Sequence, residues 1–220
     1  MQELTLDVAA GSPITDRHCA DITLQDCNVE VVPTGYERPL IQDVSVRNLV
    51  LSSTRLSGAL LRRVEVRNVK ADSVSRFLYA CAFEEVRLSG RIGTLVLDIT
   101  DPMGRLAHYL PAIRKAEAGA AYTLDVSEIR GSLDVRGYDA SRMIIDPSFQ
   151  AVVWAEDLRD SDWRGVLGGP SRFSVLIEEM LRENWPNVLL SANIATARRS
   201  ADLELLKNLR CSRFLRSFEV

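Results

Sequence analysis

The sequence predicts a mainly β fold in which short parallel strands stack as a four-sided β-helix, with a helical insertion and a helical cap at the C-terminal end. Three observations predict it. Apolar residues recur every five positions through the centre of the chain. Aromatic residues make up only 6% of the 220 residues, although 46% are hydrophobic. The five-residue period gives way to helical spacing after Gly168. The length suffices for a sizeable core. A net charge of -3 excludes a wholly basic nucleic-acid binder and an acidic tail protein.

The period is clearest from Val44. The pentads beginning at Val44, Leu49, Thr54, Ala59, Val64 and Val69 all carry an apolar or small residue at their first and third places, and Arg, Asn, Ser, Gly or Asp at the last two. A period of five fits neither the 3.6 of a helix nor a long run of the 2.0 of a strand. It fits a short extended piece that points two alternate side chains inward and then turns a corner on Ser, Asn, Asp or Gly. Four such sides bring the chain back after about twenty residues, so that successive coils pair as parallel strands around a narrow interior. A narrow interior has little room for rings, which accounts for the low aromatic share.

Ala20-Asp21-Ile22-Thr23-Leu24 and Cys27-Asn28-Val29-Glu30-Val31 closely match a pentad of Ala, then Asp or Asn, then Leu, then two variable residues; Glu156-Asp157-Leu158-Arg159-Asp160 and Ser161-Asp162-Trp163-Arg164-Gly165 match it more loosely. On these residues the chain resembles the pentapeptide-repeat family, and the central run keeps the inward pair while usually lacking Asp or Asn at the second place. The resemblance implies a right-handed, quadrilateral β-helix. Ala201-Asp202-Leu203-Glu204-Leu205 fits the same pentad inside a stretch that reads as a helix, so a single match carries little weight.

The coil is expected over residues 1–168. Pro33, Gly35 and Pro39 mark a loop leaving it. After Val74 the frame slips by two, so that Cys81 and Phe83, then Val86 and Leu88, become inward pairs, with a bulge or loop around Arg76–Ala80. Met103, Leu106, Ala107, Leu110 and Ile113 predict a helical insertion near 101–121, limited in length by Pro111. Pentads resume at Leu124 and Val126, Leu133 and Val135, Tyr138 and Ala140, and Met143 and Ile145. Residues 171–220 form a cap: one helix from Ser171 with Phe173, Leu176, Ile177, Met180 and Leu181 on its apolar face and Trp185-Pro186-Asn187 ending it, and a second capped by Ser200 with Leu203, Leu206, Leu209, Arg210 and Phe214 on one face. Solenoid ends need such covers.

Candidate chemistry is sparse. His18 and His108 are the only histidines, and no nucleophile motif accompanies either. No phosphate-binding loop is present, Gly165–Pro170 reading as a connector. Glu84, Glu85 and the group Asp157, Asp160 and Asp162 suit outward corners, and the latter spacing matches no calcium loop. No enzyme, cofactor or metal is therefore expected. Cys19, Cys27, Cys81 and Cys211 form no C-x-x-C pair, which suits a reducing cytoplasm, and neither a signal peptide nor an apolar run of transmembrane length is found.

The outward charges are more informative. Arg47, Arg55, Arg62, Arg63, Arg67 and Lys70 form a basic stripe, joined by Arg76 and opposed by Asp43, Glu65 and Asp72. Twenty-residue stacking sets Arg47 beside Arg67 and Asp43 beside Arg63. The six cations are the candidate partner-binding residues. Phe214, Leu215 and Phe218 are candidate dimerisation residues, since they would be exposed in a monomer unless they fold back. The resemblance adds that family members protecting topoisomerases commonly form homodimers through C-terminal helices and imitate duplex DNA with ordered negative charge; a basic stripe counts against such a mimic. The expected function is thus a non-catalytic protein-binding scaffold, a cytoplasmic bacterial immunity or protection factor acting on a partner protein. The runner-up is a DNA mimic that binds a type II topoisomerase, DNA gyrase, and a third reading is an enzyme or nucleic-acid binder using the insertion and the basic face.

Overall fold

The computed structural model describes residues 13–29, 39–73, 75, 77–100, 110–197, 199–212 and 214–215. The chain is mainly β. Nine strands form one sheet: β1 (Ile14–Gln25), β2 (Asn28–Val29), β3 (Leu40–Ser52), β4 (Arg55–Ser57), β5 (Leu60–Ala71), β6 (Phe77–Tyr79), β7 (Ala82–Glu84), β8 (Val86–Asp98) and β9 (Leu124–Arg136). Every pairing in it is parallel. The order is β1-β3-β5-β8-β6-β4-β2, with β7 on β5 and β9 on β8. Because β8 pairs β5 with its first part and β6 with its last, the sheet curls on itself as a half-barrel.

The register carries the repeat. Leu40 lies beside Leu60 and Val44 beside Val64, a step of 20 residues, and Glu65 lies beside Arg87, a step of 22 that contains the two-residue slip. Backbone dihedrals show where the corners are. Asp43, Asn48, Ser53, Gly58, Arg63 and Asn68 all have positive φ, one every fifth residue, and after the slip so do Ala80, Glu85 and Gly90. Positive φ is cheap for Gly and tolerable for Asn and Asp, which explains the composition of the fifth place. Between corners the first and third places point inward: Val44, Leu51, Ala59, Leu61, Val64, Val66 and Val69 are buried, and Cys81, Phe83, Val86 and Leu88 continue the core after the slip.

The earliest repeat is framed differently from its sequence match. Asp21 is itself a corner (φ 55), and Ala20 is exposed. Ile22 and Leu24, paired with Leu49 and Leu51, are the inward residues, not Ala20 and Ile22. Asp is good at both the second place and the corner, and that ambiguity displaced the frame.

The insertion contains helix α1 (Leu110–Gly119), with Ile113 buried. Pro111 stands in its first turn, where a missing N–H costs nothing. Glu117, on the same helix, is 3% exposed, and its Oε1 has no hydrogen-bond partner among the described residues. Burial pushes its carboxyl up from 4.5, outweighing Arg114, whose Nη1 lies 3.3 Å away. A raised carboxyl adds stability below the unfolded value, and that stability is lost as pH rises through the folded one. E117Q should therefore flatten the fall in stability above about pH 4.5 and leave the protein no less stable at neutral pH. Urea denaturation across pH checks it; a variant that loses stability at pH 7 would show that the charge is needed.

After β9 the parallel sheet continues only as an isolated bridge of Ile144 with Asp125. A short 3-10 turn (Ala140–Arg142) leads to β10 (Gln150–Trp154), α2 (Ala155–Leu158), α3 (Trp163–Leu167), α4 (Arg172–Arg182), β11 (Asn187–Ser191) and α5 (Arg199–Cys211). The two loose pentads at 156–160 and 161–165 thus fall on α2, α3 and the turn between them. Asp162 caps α3 by accepting from Gly165 N, and Leu158 and Trp163 are buried as helix residues. An apolar residue two places from another Asp-flanked position suits either structure, so the pentad pattern could not separate them. Helix α4 starts as its sequence indicates: Ser171 forms a capping box with Ser174, and Phe173, Leu176, Ile177 and Met180 are buried. Strand β11 was not foreseen; Val188, Leu189 and Leu190 are a continuous buried run that pairs antiparallel with β10. Ser200 lies inside α5 and is not its cap.

Asn187 ties this region to the sheet's end: its Oδ1 accepts from Ala140 N at 2.7 Å and its Nδ2 donates to Asp139 at 2.8 Å. Most of the loop at 33–39, the first half of the insertion with Met103, Leu106, Ala107 and His108, and Val74, Arg76 and Phe218 lie outside the described residues. Among the described residues no helix is long and apolar enough to cross a membrane.

Candidate binding cleft

The outer surface of the sheet is organised by its parallel register, a step of 20 to 22 residues from β3 through β5 to β7 and β8, which stacks outward side chains in columns. Two columns are closed by ion pairs. Arg63 meets Asp43, Nε to Oδ1 at 2.6 Å, and the guanidinium holds the Asp43 carboxyl down at about 2. Arg62 donates to Glu84, its register partner in β7, and reaches Gln42 at 3.4 Å. These cations are neutralised by their own fold. Arg87 is likewise shared between Asp125 (3.5 Å) and Glu128 (2.8 Å).

Beside them runs a corner column of amides. Asn48 Nδ2 donates to Asp21 at 2.8 Å, Asn68 Nδ2 donates to Asn48 Oδ1 at 2.8 Å, and Arg91 N donates to Asn68 Oδ1 at 2.9 Å. Each side chain satisfies the next at positions where Asn already suits the positive φ. Gly90 completes the column, because a Cβ there would lie 2.3 Å from Asn68 Oδ1.

The amide column lines a cleft of about 1140 Å³ between the parallel sheet and the C-terminal region. Arg67, Lys70, Arg91 and Arg130 enter from β5, β8 and β9, and Arg199 from α5. All five are exposed, and none has an ion pair among the described residues. Glu65, Glu128 and Asp146 also line it, as do the apolar side chains Val50, Phe149, Ile194 and Leu203.

The six stripe residues are therefore divided. Arg67 and Lys70 line the cleft, and Arg47 stands beside Arg67 in register as its period requires. Arg62 and Arg63 are spent on ion pairs, and Arg55 is exposed in β4. Arg91, Arg130 and Arg199 were not singled out in the sequence. Arg91 follows the frame slip, Arg130 sits in a stretch to which no pentad was assigned, and Arg199 arrives from a different region of the chain.

The remaining candidates fall elsewhere. His18 is exposed on β1. Glu84 pairs with Arg62, and Glu85 is a corner with φ 56. No group of three or more His, Cys, Asp or Glu that could hold a metal is found among the described residues. Phe214 and Leu215 fold back: both are half-buried against the core, and Leu215 forms an antiparallel bridge with Val153. Phe214 N also donates to Leu209 O at 3.1 Å.

No family model, curated protein or solved structure matches this chain. Fold and site together define a mainly β protein with a large curled parallel sheet, bearing a cation-lined cleft where that sheet meets its C-terminal region.

Proposed function

We propose that the protein is a non-catalytic recognition scaffold that binds a partner protein, and that its curled parallel sheet is a divergent right-handed β-helix of the pentapeptide-repeat kind. The observation that carries the functional reading is the cleft: five exposed cations converge there without ion pairs among the described residues, whereas neighbouring Arg62 and Arg63 are matched to carboxylates. A stiff sheet loses little conformational entropy on binding and so presents such a surface efficiently. The biological form of this reading is a cytoplasmic bacterial immunity or protection factor that binds and neutralises or shields its partner.

The DNA mimic that binds a topoisomerase is the weaker reading. A mimic offers continuous negative charge, and here carboxylates at Asp43 and Glu84 are consumed by Arg63 and Arg62. Dimerisation through the C-terminal end also has less to offer, since Phe214 and Leu215 pack on their own chain.

Affinity capture from the source cell, with the tagged full chain as bait, tests the proposal. One stoichiometric protein is expected. Recovery of nucleic acid alone, or of nothing above the control, would overturn it, and recovery of gyrase with inhibition of supercoiling would favour the mimic instead.

A further inference from the structure

The sheet at the cleft carries an arrangement that folding alone disfavours. Arg91 lies directly beside Arg130 in the β8–β9 register, and Arg47 directly beside Arg67 in the β3–β5 register. Neighbouring strands are about 4.8 Å apart, and like charges placed opposite one another on a sheet are destabilising. Elsewhere on the same sheet the register sets opposite charges together, as in Arg62 with Glu84 and Glu65 with Arg87. The two Arg–Arg pairs flank one amide column; Arg67, Arg91 and Arg130 line the cleft with Lys70 and Arg199, and Arg47 stands next to Arg67 outside that lining.

We infer that this corner is an anion-recognition site and that its occupant is an acidic, partly apolar segment of the partner protein, its carboxylates seated between the paired arginines. The inference rests on the scaffold reading above and names the chemistry of what the scaffold binds. Arginine forks take carboxylates in pairs of parallel hydrogen bonds, and a counter-anion between two guanidinium groups removes their repulsion. The rest of the lining decides against a polyphosphate chain. Glu65, Glu128 and Asp146 would face a continuous run of phosphates, while the half-buried Val50, Ile194 and Leu203 give the apolar residues of a peptide a surface to cover.

The test uses the full chain and a short fluorescein-labelled peptide alternating glutamate and leucine, read by anisotropy. Its glutamine counterpart, duplex DNA and inorganic pyrophosphate serve as competing probes. R91E converts an Arg–Arg pair into an Arg–Glu pair, so it should raise the melting temperature while weakening the glutamate peptide by about tenfold or more. R17E, at an exposed position of β1 outside the cleft and with no ion pair among the described residues, reports general charge effects and should leave peptide affinity within about twofold. Opposite movement of stability and affinity is the signature, and misfolding cannot imitate it. Equal binding of the glutamate and glutamine peptides, DNA or pyrophosphate binding as tightly as the glutamate peptide, or unchanged affinity in R91E would each overturn the inference. A captured partner whose binding ignores R91E would remove this inference and leave the scaffold reading standing, whereas failure to capture any partner removes the scaffold reading itself.

Discussion

Truncating Phe83 to alanine is expected to lower the unfolding free energy by about 3–5 kcal/mol, the range for deleting a buried ring. Phe83 is 1% exposed, and its ring lies 5.3 Å from that of Tyr138 at a tilt of 52°. The surrounding core is made of β-branched and aliphatic residues held on a paired parallel backbone, so it has little freedom to close over the space a ring leaves. Tyr138 is the complementary case. Its hydroxyl donates to Cys81 O at 2.8 Å, joining residues far apart in sequence, and Tyr138→Phe should cost only about 1–2 kcal/mol because packing is retained. Denaturant melts of both variants check the pair. A Phe83→Ala loss below that of Tyr138→Phe would show that the core collapses around the missing ring.

The second large effect concerns a glycine whose backbone conformation is ordinary. Gly131 of β9 lies opposite Gly93 of β8, and a Cβ at Gly131 would stand 2.7 Å from Gly93 O and 2.8 Å from Ile92 Cγ1. Neither atom is the end of a flexible chain, so Gly131→Ala has to push the two strands apart next to the existing register irregularity between Arg91 and Gly93. Such overpacking costs about 1–3 kcal/mol and more where backbone must move. Gly119, at the end of α1, is the matched control: no atom lies within 4 Å of its added Cβ, and Gly119→Ala should be neutral or stabilising by about 0.5–1 kcal/mol. The melting temperature should fall for Gly131→Ala and hold or rise for Gly119→Ala, and equal shifts would refute the close approach of β8 and β9.

These two sites show what the sequence could and could not convey. Phe83 was legible as an inward residue, because the five-residue frame and its two-residue slip both rest on side-chain alternation, which is local. Gly131 was not, because its constraint is a neighbour 38 residues earlier on another strand. The same division runs through the cleft. Arg47 beside Arg67 and Asp43 beside Arg63 followed from the period alone. Arg130 and Arg199 did not, since an insertion precedes the first and the second approaches from a helix with no repeat relation to the sheet. The helical pair at 155–167 misled for a physical reason too: Asp157 in the first turn of α2 and Asp162 capping α3 are the same letters that a repeat places at its second position, so identical letters serve two geometries.

The corners at every fifth residue also predict how the sequence tolerates change. Two selective combs overlie the central run. One has its teeth at the inward places and rejects polar side chains. The other, at Asn48, Ser53, Gly58, Arg63 and Asn68, selects on backbone conformation and rejects β-branched residues, because φ there is between 49 and 69°. A mutational scan of residues 44–71 would separate them: valine substitutions should be tolerated at the buried Leu51 and Leu61 and damaging at the exposed corners Ser53 and Arg63, and asparagine substitutions the reverse. The repeat is thus written twice, once in hydrophobicity and once in backbone handedness, and a descendant whose pentads had lost all resemblance to one another could still be read from the second.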